Sequence, residues 1–173
     1  LFFFFVMIML PLQQTKAQTL GDGVKWHPGH YYTVLDHGKD KSWYMGQVYS
    51  ELKSTQALLG LQLRYSWKEL EPKEGVYNFS SIDKHLAELT KRNKRLVILL
   101  ELKEMGTDET SMPIPAYART AAYEGGAYSF SNYEKDVLRG YGTKLWNTKI
   151  HDRWVALVHA LGKRYNSHPN FEA

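Results

Sequence analysis

Two stretches of this sequence carry side chains whose types and spacing could do chemistry. In the first, Leu61, Leu63, Tyr65 and Trp67 alternate with Gln62, Arg64 and Ser66. That is the period of a strand, so Arg64 belongs to its polar side. Downstream, Glu101 and Lys103 share a face at the end of the apolar run 96–100. A guanidinium on such a face offers a planar fork to a carboxylate or a hydroxyl. Glu101 and Lys103 either bind a ligand or pair with each other and with Arg64. The second stretch is His27-Pro28-Gly29-His30. Two histidines three apart across a turn invite a metal reading, but no third ligand accompanies them, and no metal site is assigned. With Trp26 and Tyr31 they are candidates for one wall of a ligand site; core packing is the other reading of Trp26. Trp146, in a long polar stretch, either offers a flat stacking surface or docks its own loop.

Alternating elements must position these residues. Residues 23–27 read as a short strand ending at the Pro28-Gly29 turn. Ser42 is a candidate cap for a helix reaching about Leu59, with Met45, Val48, Tyr49 and Leu52 at helical spacing and Gly60 as its stop. The alternating strand at 61–67 follows. A helix from Ser80 or Ser81 places Ile82, Leu86 and Leu89 on one stripe and ends in the basic run 91–95, where cations suit the helix dipole. The run 96–100 reads as a strand buried on both faces. The stretch from about 105 to 147 is too long for an idle connection. A third helix over about 149–165 carries Trp154, Val155, Leu157, Val158 and Leu161, and residues 171–173 open a further element. Strand and helix alternate throughout, which predicts an α/β fold with a parallel sheet and right-handed crossovers. A doubly wound sheet and a (β/α)8 barrel both fit that order. The sequence has no Gly-x-Gly-x-x-Gly or Walker-type loop, which argues against nucleotide-binding versions.

The segment from Arg64 through Trp67, Leu70-Glu71-Pro72, Gly75, Tyr77, Phe79 and Ile82-Asp83 resembles the second strand and following loop of (β/α)8-barrel glycoside hydrolases of the β-galactosidase-like and cellulase-like groups. A second likeness lies in Leu145-Trp146-Asn147, in His151-Asp152-Arg153-Trp154, and in 161–173, which resembles the third helix leading into the fourth strand of the same enzymes. The resemblance covers about residues 20–173. It implies the N-terminal part of a TIM barrel, truncated at about the fourth strand, since a complete barrel takes roughly 250 residues. It also implies a retaining mechanism with two glutamates, both expected beyond Ala173, so no catalytic residue is assigned here. Trp26, His27, His30, Arg64, Glu101, Lys103 and Trp146 are the expected substrate-binding residues. Arg64 is expected to bond the carboxylate nucleophile or a sugar hydroxyl. Glu71, Tyr77 and Phe79 are expected to hold the loop rather than touch substrate. A piece of three or four strands cannot close a barrel, so it is expected to be inactive alone. A non-catalytic carbohydrate-binding barrel and a metal-dependent hydrolase on the same fold are the alternatives.

The remaining properties bound where such a protein works. Residues 1–10 are wholly apolar, and Thr15-Lys16-Ala17 follows. This reads as the core and cleavage region of an incomplete signal peptide over 1–17, too short for the ~20 apolar residues of a membrane span. The expected location is secreted or periplasmic, without a stable membrane anchor. With no cysteine in the 173 residues, thiol nucleophiles and thiolate metal sites are excluded from this sequence, and so is disulfide stabilisation. A net charge of +4 with a single short basic run does not suit nucleic acid. The expected partner is an oligo- or polysaccharide, and no cofactor is expected.

Overall fold

The computed structural model describes residues 27–134 and 136–173, with the side chains of Asp36 and His37 left aside. The signal-peptide stretch 1–17, Trp26 and most of the strand expected at 23–27 lie outside the described residues. The fold is mixed α/β. Its main sheet takes β1 (His30–Thr33), β2 (Leu58–Ser66) and β3 (Arg95–Glu101) in that order, all parallel. A parallel bridge from Leu96 to Phe171 adds the start of a fourth strand beyond β3. The strand order is therefore sequential. With right-handed crossovers, sequential order puts every connecting helix on one side of the sheet. A doubly wound sheet reverses its order at a switch point, and the described strands contain no such reversal.

Register divides the sheet into two faces. Leu61 pairs with Leu96, Leu63 with Ile98, and Tyr65 with Leu100. This face packs on α1 (Ser42–Ser54), α3 (Ser80–Thr90) and α4 (Thr148–Tyr165). Leu52, Leu61, Leu63, Tyr65, Ile82, Leu89, Leu96, Ile150 and Leu157 are fully buried there. The apolar stripes at helical spacing are thus the core-facing stripes. The opposite face carries Gln62 beside Val97, Arg64 beside Leu99, and Ser66 beside Glu101. Leu99 is 38% exposed, so β3 is covered on one face among the described residues, not on both as its apolar run predicts.

The first described strand begins at His30, after the Pro28-Gly29 turn. Other boundaries differ from the sequence reading. Helix α1 ends at Ser54, and Leu58–Gly60 already belong to β2. Gly60 is no helix stop. A Cβ there would strike the Arg95 carbonyl and come 2.7 Å from Tyr31 Cε1, so the close approach of β1, β2 and β3 is what excludes a side chain. Nor does Ser42 cap α1; it is the first helical residue, and Lys41 occupies the cap.

The long polar stretch is structured. β4 (Lys103–Met105), β5 (Ala127–Ser131) and β6 (Leu138–Thr143) form an antiparallel sheet in the order β4-β6-β5, with three short 3-10 turns between β4 and β5. It is inserted between the C-terminal end of β3 and the start of α4.

Candidate active site

Strand direction decides which side chains meet. Arg64 and Glu101 lie near the C-terminal ends of β2 and β3 on the face turned away from the helices. Arg64 Nη1 donates to Glu101 Oε1 at 3.1 Å. The two side chains are 33% and 25% exposed, so the pair is partly desolvated. Arg64 Nε is buried and has no hydrogen-bond partner among the described residues. A buried unpaired donor costs about 1–3 kcal/mol, and Arg95 Nε and Arg153 Nε are left unpaired in the same way.

A one-turn helix, α2 (Trp67–Leu70), carries the chain off β2. Its rigidity comes from Glu71, a fully buried carboxylate. Trp67 Nε1 donates to Glu71 Oε2 at 2.8 Å, and the backbone N–H of Gly75 donates to Oε1 at 2.7 Å. Arg153 Nη2 of α4 also donates to Oε1. Gly75 has φ 72°, a left-handed turn that favours glycine. Tyr77 stacks on Phe79 with centroids 5.6 Å apart, and Trp67 meets Trp154 edge-on at 5.6 Å. Asp83 receives both arms of Arg164 and the Tyr165 hydroxyl. Burial pushes the Asp83 carboxyl up, but these bonds outweigh it and hold it below the usual range. The motif residues from Glu71 to Asp83 thus lock β2, α3 and α4 together.

A second ion pair fixes the other side of β2. Lys39 is 4% exposed and contacts Glu69 at 3.1 Å and Asp40 at 3.2 Å, with its ammonium over the Tyr65 ring. Burial raises the Glu69 carboxyl despite Lys39. On the far side of α2, Lys68 Nζ donates to Glu104 at 3.0 Å and to the Thr110 carbonyl at 2.8 Å. These bonds dock the inserted sheet beside the Arg64–Glu101 pair.

Solved structures share this architecture. The chain is similar to Gan42B, a GH42 beta-galactosidase from G. stearothermophilus, at 19% identity and a TM-score of 0.54, over 83% of this chain and 19% of that one. A catalytic mutant of the same enzyme gives 18% and 0.53, over 82% and 20%. The beta-galactosidase from the psychrophilic Marinomonas ef1 gives 12% and 0.50, over 83% and 20%. The chain folds like a segment of a TIM-barrel glycoside hydrolase. It spans about a fifth of the length of these structures. No family model matches the chain, and no curated protein matches it significantly in sequence.

In a TIM barrel the functional site sits at the C-terminal strand ends, and the expected residues divide by whether they reach that end. Arg64 and Glu101 come together there. Lys103, two residues on, does not join them; its ammonium sits over the Phe130 ring, 3.8 Å from the centroid. Trp146 is 70% exposed and packs on Tyr128 at the start of α4. His27 and His30 do not meet this pair: His30 opens β1 and His27 precedes it, at the N-terminal end of the sheet. His27 Nδ1 lies 2.5 Å from Glu172 Oε2, beside Arg95, where it ties the first strand to the fourth. No group of three metal-ligating side chains occurs among the described residues. Tyr128 and Phe130 escaped sequence reading. Their signal is the period-two pattern of Tyr128 and Phe130 facing Gly142 and Gly140.

Proposed function

We propose that this chain is the N-terminal part of a (β/α)8-barrel glycoside hydrolase that cleaves β-glycosides, with its catalytic carboxylates outside these 173 residues. The observation that carries this is the Arg64–Glu101 pair: it stands at the C-terminal ends of two sequential parallel strands, with a buried guanidinium N–H left unpaired. The fold likeness to beta-galactosidases supports the reaction class.

Glycoside hydrolysis needs two carboxyl groups across the scissile bond, about 5–5.5 Å apart in retaining enzymes. One protonates the leaving oxygen and the other attacks the anomeric carbon. Arg64 supplies a positive, planar donor set beside that bond. Its free Nε edge holds either the attacking carboxylate or a sugar hydroxyl in line, which lowers the entropic part of the barrier. Glu101 fixes the Arg64 fork. Glu71 stays a structural acceptor, because its lone pairs are already taken by Trp67, Gly75 and Arg153. The apolar run at 1–10 and the Thr15-Lys16-Ala17 stretch support export to a secreted or periplasmic location.

The test is hydrolysis of a panel of nitrophenyl β-glycosides (galactoside, glucoside, mannoside) by the complete protein that contains this chain. Release of nitrophenol from at least one supports the reading. Oligosaccharide binding with no turnover on any substrate would replace it with a carbohydrate-binding barrel.

A further inference from the structure

The inserted sheet presents a face that the fold does not use. Antiparallel register puts Lys103, Gly142 and Tyr128 side by side, and Met105, Gly140 and Phe130 in the next row of the same face. The opposite face carries Glu104 and Tyr141, and Glu104 is the residue that Lys68 anchors. The aromatic face is therefore turned away from that anchor. The two glycines are the key feature. A Cβ at 142 would strike the Tyr128 ring, and one at 140 would come 2.7 Å from Phe130 Cζ. Both rings lie across bare backbone where side chains would otherwise stand. Tyr128 and Phe130 are both half-buried there. Trp146 extends the surface, 5.2 Å from the Tyr128 centroid at 43° and 70% exposed. Met105 is 72% exposed in the second row, and the Lys103 ammonium lies over Phe130.

We propose that Tyr128 and Trp146, flanked by Phe130 under the Lys103 ammonium, form a stacking platform for a β-linked oligosaccharide, extending the Arg64–Glu101 site along the substrate chain. Sugar rings have one or two apolar C–H faces and a polar rim. Aromatic surfaces take the faces, and the Lys103 ammonium beside them is a donor for the rim. The platform follows the candidate site directly in the chain: only Leu102 separates Glu101 at the end of β3 from Lys103 at the start of β4. Thr143 of β6 donates to the Leu102 carbonyl at 2.8 Å, which holds the junction. A protein partner fits less well. Two rings of about 150–250 Å² each, partly buried already, fall short of the roughly 800 Å² per partner of a stable interface. The choice of a saccharide rests on the glycosidase-fold reading of the neighbouring pair.

Calorimetric titration of the complete protein with β-1,4-galactotetraose, cellohexaose and mannohexaose tests this, alongside kcat/KM on the nitrophenyl monoglycosides, which are too short to span both places. Trp146→Ala and Tyr128→Ala are expected to weaken binding of the preferred oligosaccharide about tenfold each, equivalent to about 1.4 kcal/mol. Trp146→Phe keeps most of the binding. The loss is larger on the oligosaccharide than on the monoglycosides, and an unchanged Tm shows that the variants fold. Variants that bind the oligosaccharide like wild type overturn the platform. So does an equal loss on long and short substrates, and so does a wild type that binds none of the three. Binding that Trp146→Ala abolishes, in a protein that hydrolyses nothing, keeps the platform and removes the glycosidase reading.

Discussion

Replacing Glu71 separates a structural from a catalytic role for the most deeply buried carboxylate of the motif. Its side chain is fully buried and accepts from Trp67 Nε1, the Gly75 N–H and Arg153 Nη2. Glu71→Ala strands all three donors, one of them a guanidinium that is only 20% exposed. Hydrogen bonds to a charged group contribute about 1.5–3 kcal/mol each, but they share one carboxylate and do not add. Breaking a buried ion pair from one side costs about 3–5 kcal/mol, and that is the figure expected here. In a domain of this size it lowers Tm by on the order of 10 °C. Glu71→Gln keeps one acceptor oxygen and is expected to lose about half as much. Thermal and urea unfolding of the complete protein give the numbers. In a cycle with Arg153→Met, the coupling is expected to exceed about 1 kcal/mol. Glu71→Gln with unchanged stability and abolished turnover would refute the structural reasoning and move Glu71 into the chemistry.

Arg64→Ala is expected to lower kcat about 10²-fold with little change in Tm, as misplacement of a reacting group does. Arg64→Lys does not restore it, because a point charge cannot hold Glu101 and a second acceptor as a fork does; wild-type kinetics in the Arg64→Lys variant would contradict the pairing. Gly60→Ala is expected to destabilise by more than about 2 kcal/mol, since its Cβ meets the Arg95 carbonyl, which is backbone and cannot step aside. Denaturant midpoints decide that. His85 is buried, bonded to the Tyr49 hydroxyl at 2.6 Å, and pushed down to about 4 by burial, with the Lys84 and Lys39 charges adding to the effect. The fold favours the neutral ring, so the unfolded chain binds more protons between about pH 4 and the ordinary value of 6.5. Stability from this group is complete above 6.5 and falls as pH drops through that window, by on the order of 3 kcal/mol. His85→Gln is expected to flatten the slope measured by denaturation at pH 4.5 and pH 7.

The sequence made the helix-facing halves of the elements legible and left their ends obscure. The alternation of Leu61, Leu63 and Tyr65 against Arg64 reports burial directly, and the structure repeats it residue for residue. The end of α1 was hidden because Ala57, Leu58 and Leu59 continue an apolar pattern that helix and strand share. Gly60 looked like local punctuation, yet its reason is the Arg95 carbonyl on another strand. Likewise, Glu71 meets Arg153 from 82 residues away, a pairing that no local pattern encodes. His27 and His30 read as a site because a turn joins them; the direction of β1 carries them to the other end of the sheet. For the candidate site, Arg64 and Glu101 were readable by strand parity, but not the glycine-backed ring surface, which depends on how β5 and β6 register.

The most direct test of the central claim is to trap the glycosyl-enzyme. The complete protein is incubated with a 2-fluoro β-glycoside of its preferred sugar, digested, and the labelled peptide found by mass spectrometry. A retaining barrel hydrolase with Arg64 as a positioning residue predicts one label on a carboxylate outside this chain, and slower labelling in Arg64→Ala. A label on Glu71, Glu101 or any other residue of these 173 would contradict the account, as would the absence of any covalent adduct in a protein that turns the parent glycoside over.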